Sequence, residues 1–169
     1  MVAADAAGLL RRDSPVVSET AQTTAEAPAV KPMVAEAMHW GLVHCTPDAT
    51  LREVATLMAE AAVHCVVVLE PPGEGVGLWG VVSDLDLVAA ATVRSLDDQR
   101  AGGTAMTPAV TTVPHEPLEA AAERMTAHDV SHLVVVDDIR RRPVGVLSTL
   151  DLVRTLATVE PQGRSHGGT

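Results

Sequence analysis

The chain contains the same stretch of sequence twice, and this internal repeat constrains its fold more than any other feature. Residues 47–70, PDATLREVATLMAEAAVHCVVVLE, align without gaps with residues 114–137, PHEPLEAAAERMTAHDVSHLVVVD, and seven of the 24 positions are identical. Residues 80–88, GVVSDLDLV, align with residues 145–153, GVLSTLDLV, with seven identities in nine positions. A tandem repeat of this kind predicts two similar structural units in one chain.

The first copy predicts a defined order of secondary-structure elements. A short strand ends at Cys45, and an amphipathic helix follows Thr50, which fits a capping box with Glu53. The apolar strand CVVVL, the turn-rich loop PPGEGVG and the returning strand LWGVV come next, and Ser83 opens a closing helix. The predicted unit is β-α-β-β-α.

The second copy repeats that order, with Pro117 at the first helical position, LVVVD and VGVL as strands, and a closing helix from Ser148 to Thr158. The predicted fold class is α/β of the α+β type. One unit alone buries little surface, so we expect the two to pack sheet against sheet around a pseudo-twofold axis, with clefts along it. When the two copies are aligned, Gly41 is an extra residue of the first copy. The alignment therefore does not define where Trp40 lies.

Composition divides the chain into four segments. Residues 1–33 are rich in Ala, Thr, Ser, Pro and Glu without an apolar period, which predicts a flexible N-terminal tail. Residues 34–98 and 99–159 form the two repeats, and residues 160–169 are predicted to be a flexible C-terminal tail.

The composition also excludes several partners. Trp40 and Trp79 are the only aromatic residues and the formal net charge is −10, whereas binding nucleic acid by stacking requires several rings along a basic groove. No apolar run has the length of a membrane span, and the first residues do not resemble a signal peptide. We therefore expect a cytoplasmic protein without nucleic-acid or membrane partners, in which Cys45 and Cys65 are reduced thiols.

One repeated motif carries chemistry, namely Gly-h-h-Ser-x-x-Asp, where h is apolar. It places a Ser at the end of a strand and an Asp one turn into the next helix. A helix N-terminus favours a phosphate, the Ser hydroxyl can donate to it, and the ionised Asp can accept from ribose hydroxyls. The motif therefore suits a nucleotide. It occurs twice, as Gly80, Ser83, Asp86 and as Gly145, Ser148, Asp151.

The same spacing also fits a structural role. A Ser followed three residues later by an acid is a helix cap that contributes about 0.5–2 kcal/mol. The duplication of the motif, and the use of Asp where capping boxes usually have Glu or Gln, favour the ligand interpretation modestly. Both interpretations stay open.

The duplicated β-α-β-β-α order, the strands HCVVVLE and SHLVVVDD, and the strings GVVSDLD and GVLSTLD resemble a pair of cystathionine-β-synthase (CBS) domains, the arrangement called a Bateman module. The resemblance covers about residues 34–159. It implies binding of an adenosine-containing ligand (AMP, ADP, ATP or S-adenosylmethionine) in clefts between the repeats, a regulatory role without catalytic groups, and a disc-shaped homodimer.

The resemblance also implies individual site residues. Asp86 and Asp151 would accept ribose hydroxyls. Ser83 and Ser148 would lie near phosphate, and His132 matches a position where a basic side chain meets phosphate. The remaining positions line the clefts or touch the base: His64, Cys65, Ser131, Leu42, Val43, Ala109 and Val110. Cys65 stands where the second copy has His132, so we expect unequal clefts, of which the second matches the family better.

A zinc site is the alternative use of the dipeptides at residues 44–45 and 64–65, which are both His-Cys. Neighbouring residues on a strand point to opposite faces, so one member of each pair would face away from a shared metal. We therefore predict no metal site.

Two functional hypotheses remain. The first is a regulatory module that binds an adenine nucleotide, requires no cofactor and signals to an unknown effector protein as a homodimer. The second is a structural or partner-binding dimer in which the two motifs only cap helices. An enzyme is not expected, because no nucleophile, base and orienting group occur as a set.

Overall fold

The computed structural model describes residues 31–70 and 77–158, so the predictions for most of both tails and for the PPGEGVG loop tip lie outside the described residues. Its strands are β1 (His39–Trp40), β2 (His44–Cys45), β3 (Cys65–Leu69), β4 (Leu78–Ser83), β5 (Thr111–Thr112), β6 (His132–Val136) and β7 (Pro143–Ser148). Its helices are α1 (Val34–Ala37), α2 (Leu51–Ala61), α3 (Asp84–Ala91), α4 (Ala101–Thr104), α5 (Leu118–His128) and α6 (Thr149–Thr158). None of these helices is long and apolar enough to cross a membrane.

The strands form two sheets with matching pairing, which confirms the predicted mixed α/β fold. One sheet has the order β2-β3-β4 and the other the order β1-β7-β6-β5. In each, a short strand runs parallel to the central strand, which pairs antiparallel with the returning strand. The register is the same in both repeats, with Val68 opposite Gly80 and Val135 opposite Gly145, and an irregularity follows in both.

The predicted helix starts agree with the structure except at one position. The capping box at α2 is present, because the Thr50 amide donates to Glu53 Oε2 at 2.7 Å and the Glu53 amide donates to Thr50 Oγ1 at 3.2 Å. Pro117, predicted at the first helical position, is the N-cap instead, and the helix begins at Leu118. The φ of Pro117, −57°, is helical, but its ψ of 137° is not, so Pro117 is not part of the helix.

Three aliphatic clusters form the core. Val66 and Val68 point into a core between the first sheet and its helices, while Val67, on the opposite face of β3, points toward the other sheet. The second repeat uses the same alternation, and Val134 and Val136 meet Val67 between the sheets. The two sheets therefore pack face to face through aliphatic side chains, as expected for a chain without Phe or Tyr.

Each repeat also lends a short backbone segment to the other. Strand β1 precedes the first repeat's sheet but pairs with β7 of the second, with His39 opposite Val146. Reciprocally, Met106 precedes the second repeat's sheet but bridges to Val81 in β4 of the first. We call residues 38–41 and 105–108 the exchanged segments. They tie the two repeats together by main-chain hydrogen bonds.

The exchange corrects one feature of the sequence alignment. The strand registers show that His39 and Met106 are equivalent positions of the two repeats. Their separation along the chain equals the separation of Pro47 and Pro114. Gly41 is therefore not an extra residue, and Trp40 corresponds to Thr107. Sequence comparison could not show this, because the exchanged segments share a register but no identical residue at matched positions.

The exchanged segments explain the glycine of the repeated motif. A Cβ on Gly80 would lie 2.5 Å from the carbonyl oxygen of Met106, and a Cβ on Gly145 would collide with the carbonyl oxygen of His39. A side chain at either position would push the exchanged backbone off the sheet. Glycine is used here because another backbone approaches closely.

We expect Gly80→Ala and Gly145→Ala each to lower the free energy of unfolding by about 1–3 kcal/mol, the usual cost of overpacking. The matched control is Gly103→Ala in α4, where nothing lies within 4 Å of the new Cβ. This change should leave stability unchanged or raise it slightly. Chemical denaturation of the three variants checks the prediction, and equal effects at all three glycines would contradict it.

Candidate functional site

The duplicated motifs converge where the central strands begin. In the strand pairing Ser83 lies opposite Cys65, and Ser148 lies opposite His132. Cys65 and His132 lie two residues before Val67 and Val134, so by alternation they share the face that meets the other sheet. The structure thus brings these four sequence-predicted residues to one end of the inter-sheet region.

Both motifs form capping boxes. In the first, Asp86 Oδ2 accepts from the amide and the hydroxyl of Ser83, both at 2.7 Å, and the Asp86 amide donates back to Ser83 Oγ at 3.2 Å. In the second, Asp151 Oδ2 accepts from the Ser148 amide and hydroxyl at 2.8 and 2.6 Å. Each cap uses a single carboxylate oxygen. The other oxygen, Oδ1, does not contribute to the cap, so capping and ligand binding are compatible.

The exchanged segment adds a residue that sequence reasoning missed. Nε2 of His39 lies 3.0 Å from Oδ1 of Asp151, whose side chain is only 3% exposed. Arg154 Nη1 lies 3.7 Å from the same oxygen. No local sequence signal identifies His39 as a partner of Asp151, because β1 reaches the motif only through long-range strand pairing.

His132 is held close to several charged groups from both repeats. Its Nδ1 lies 2.9 Å from the hydroxyl of Ser131, the other residue predicted to line this cleft. Burial lowers the pKa of His132, and the nearby carboxylates of Asp84, Asp86 and Asp151 oppose this effect only in part. Its role as a phosphate contact stays a prediction, and burial in the ligand-free chain favours the uncharged imidazole.

His64 pairs with an acid that the sequence analysis did not single out. Its Nδ1 lies 2.9 Å from Oδ2 of Asp84, and this hydrogen bond is the main reason that the pKa of Asp84 is lowered. The second repeat has Thr149 at the corresponding position. The first acid of the string SDLD, Asp84, is replaced by Thr149 in STLD, and this was the available signal for the difference between the repeats.

The segments expected to touch a base divide between two environments. Leu42 and Ala109 pack against the cluster between the sheets, whereas Val43 packs into the core of the first repeat and Val110 into the core of the second. Only Leu42 and Ala109 therefore reach the inter-sheet region. Leu42 follows β1, which pairs with β7 and contacts Asp151 through His39. Ala109 follows the other exchanged segment, which pairs with β4.

The cysteines do not form a shared site. Cys45 pairs with Val68, so it lies near the end of β3, whereas Cys65 begins that strand. Both thiols are buried and free, and burial raises the pKa of Cys45 to about 11 and that of Cys65 to about 12. Among the described residues, no cluster of three or more His, Cys, Asp and Glu side chains is placed to hold a metal ion.

Two open surface depressions lie away from the motifs. One, of about 730 Å³, is lined by residues 46–57 at the start of α2, including Arg52 and Glu53. The other, of about 550 Å³, is lined by Thr111, Glu116 and Arg124 among others. Neither contains a Ser or Asp of the repeated motif.

Comparison with known proteins agrees with the duplicated architecture. A family model described as "CBS domain" matches residues 34–92 and 103–158. The CBS domain-containing protein YhcV of Bacillus subtilis is 30% identical over 119 residues, which cover 70% of this chain and 81% of YhcV.

Solved structures show the same arrangement. The CBS domain protein PAE2072 from Pyrobaculum aerophilum, solved in complex with AMP, has a TM-score of 0.63 and 32% identity, covering 76% of this chain and 100% of its own. The CBS domain pair of protein MJ0100, solved with 5′-methylthioadenosine and S-adenosyl-L-methionine, has a TM-score of 0.64 and covers 75% of this chain and 97% of its own. At 20% identity the latter shows the shared fold.

We expect the pKa of His132, measured by NMR titration of its ring protons, to lie below its ordinary value of about 6.5 because the folded protein buries the imidazole. The folded state then binds fewer protons than the unfolded state. Unfolding free energy should therefore fall as the pH drops from about 6.5 through the folded pKa. His132→Asn should remove this part of the pH dependence, and an unchanged pH profile in that variant would contradict the assignment.

Proposed function

This chain belongs to the CBS domain family, and on that premise we propose that it is a non-catalytic regulatory module that binds an adenosine-containing ligand, such as AMP, between its two repeats. The observation that carries the proposal is the duplicated Asp carboxylate, which caps a helix with one oxygen and directs the other away from the cap. The 32% identical protein solved with AMP supports the choice of ligand class. The proposed protein requires no further cofactor. The proposal also includes a cytoplasmic location.

In this proposal each part of the ligand meets a different group. The ribose hydroxyls donate to Oδ1 of Asp86 or Asp151, and a phosphate meets the Ser83 or Ser148 end of a helix, where the dipole is positive. Leu42 or Ala109 packs against the adenine. Because the chain has no Phe or Tyr, the base is held by aliphatic side chains, and affinity depends mainly on the ribose and phosphate contacts.

Occupancy would act through the exchanged segments. Each segment joins one repeat to the sheet of the other, next to the motif that would bind the ligand. A ligand can shift the balance between two arrangements of the repeats only if it binds one of them more tightly. An unknown effector protein would respond to that shift.

A purely structural module is the second candidate, and the completed capping boxes favour it. Ser83 and Ser148 already exchange hydrogen bonds with the acids of their own motifs. In this case the motifs stabilise α3 and α6, and the protein acts by binding a partner or a second copy of itself.

Homodimer formation is part of both candidates, and the exposed residues indicate the surface. Leu85 and Val88 on α3, at 73% and 64% exposed, correspond by repeat to Leu150 and Val153 on α6, at 46% and 58%. We propose that α3 and α6 contact a second copy, because apolar side chains at equivalent positions of both repeats would be covered together. The Ala-rich helices α2 and α5 already use part of their small-residue face in the cores, as at Ala121.

We expect Asp86→Asn and Asp151→Asn each to weaken AMP binding at its own cleft at least about tenfold, because an amide oxygen accepts more weakly from a ribose hydroxyl than a carboxylate does. Isothermal titration calorimetry measures this directly. The matched control is Glu53→Gln, which alters another capping-box acid that lies outside the clefts. It should leave AMP affinity unchanged.

The same variants separate the two candidate functions. If the wild type binds neither AMP nor ADP, ATP or S-adenosylmethionine, the structural candidate is correct. If the wild type binds AMP but all three variants bind it equally well, the ligand lies elsewhere, for example in the depression lined by Thr111, Glu116 and Arg124.

We expect Leu85→Glu and Val153→Glu to convert a dimer to a monomer, because each would place a charge in an apolar contact without a partner. Sedimentation velocity measures the change. Ile139→Glu, at a 91% exposed loop position, is the matched control and should not affect assembly. A dimer that survives both helix substitutions would show that copies associate through another surface.

A further inference from the structure

The two motifs have the same local geometry but different surroundings at the second carboxylate oxygen. Oδ1 of Asp151 lies 3.0 Å from the His39 imidazole and 3.7 Å from the Arg154 guanidinium, and the side chain is buried. Asp86 is half-buried, and within residues 31–70 and 77–158 no side chain pairs with its Oδ1. One repeat thus presents an occupied carboxylate oxygen and the other an open one.

The strand register accounts for this difference. Met106 occupies in one exchanged segment the position that His39 occupies in the other, since they face the equivalent residues Val81 and Val146. A thioether cannot donate a hydrogen bond to a carboxylate. The position of Arg154, three residues after Asp151, is Ala89 in the first repeat. Asp86 therefore lacks both of the partners that Asp151 has.

The occupied oxygen has a consequence for a ligand. A ribose hydroxyl that donates to Asp86 Oδ1 finds the acceptor available. A carboxylate oxygen can accept two hydrogen bonds, but the Asp151 side chain is only 3% exposed and both His39 and Arg154 lie beside its Oδ1. The same hydroxyl therefore needs the place of the His39 imidazole, and the free energy of separating His39 from Asp151 is subtracted from the binding free energy. The His39 side chain is 69% exposed, so it has space to move aside.

We propose that His39 is a built-in competitor at the second cleft, so that an adenosine ligand fills the Asp86 cleft first and the Asp151 cleft only after the imidazole is displaced. This inference rests on the proposed function. It reverses the ranking of the clefts suggested by sequence resemblance, which favoured the second. His39 acts here as a specificity-determining residue, because it decides which of two similar motifs binds more tightly.

The test is calorimetric titration of AMP into the full chain. The wild type should show two binding events that differ about tenfold in Kd, the effect of one hydrogen bond to a charged group. Asp86→Asn should remove the tighter event and Asp151→Asn the weaker one. His39→Ala should tighten the weaker event about tenfold and leave the tighter event unchanged.

The control is His115→Ala, because His115 is another exposed histidine, paired with Asp138 at 2.8 Å, outside the clefts. It should change neither event. If AMP binds but Asp151→Asn removes the tighter event, or if His39→Ala leaves the weaker event unchanged, the competitor role is wrong while the proposed function stands. If neither the wild type nor His39→Ala binds AMP, ADP, ATP or S-adenosylmethionine, the proposed function itself fails.

Discussion

The exchange of two short backbone segments is the interaction on which the rest of the structure depends. Main-chain hydrogen bonds join β1 to β7 and Met106 to β4, and each exchanged segment lies directly over a glycine, Gly145 or Gly80. These contacts bring the start of each repeat next to the Ser and Asp of the other. The inter-sheet packing of Val67 against Val134 and Val136 then holds both motifs at one end of a shared aliphatic interface.

Much of this architecture could be predicted from the sequence because its determinants are local or duplicated. The capping box of Thr50, the apolar central strands and the closing helices each follow from residues a few positions apart. The repeat then shows that the same pattern folds twice. Pro117 marks the limit of such reasoning, because its φ suits a helix but its ψ does not, and it bridges to the distant residue Met33.

The features that could not be predicted are non-local. The contact of His39 with Asp151 depends on which strand β1 joins, and the sequence does not state the partner of a two-residue strand. Likewise, alternation predicts that Leu42 and Val43 face opposite ways, but only the packing of the sheets shows that Leu42 reaches the interface. The lowered pKa of His132 likewise depends on its burial and on charged neighbours from both repeats, Asp84 and Asp86 of the first and Asp151 of the second.

Segment exchange in this duplicated fold therefore gives two related motifs with unequal carboxylates. The most direct measurement is a crystal structure of the protein grown with AMP. We predict that the ribose hydroxyls lie within hydrogen-bond distance of Oδ1 of Asp86, with the adenine beside Ala109 and the phosphate near Ser83. AMP bound only in a surface depression, or in a cleft without contact to either motif Asp, would contradict the account.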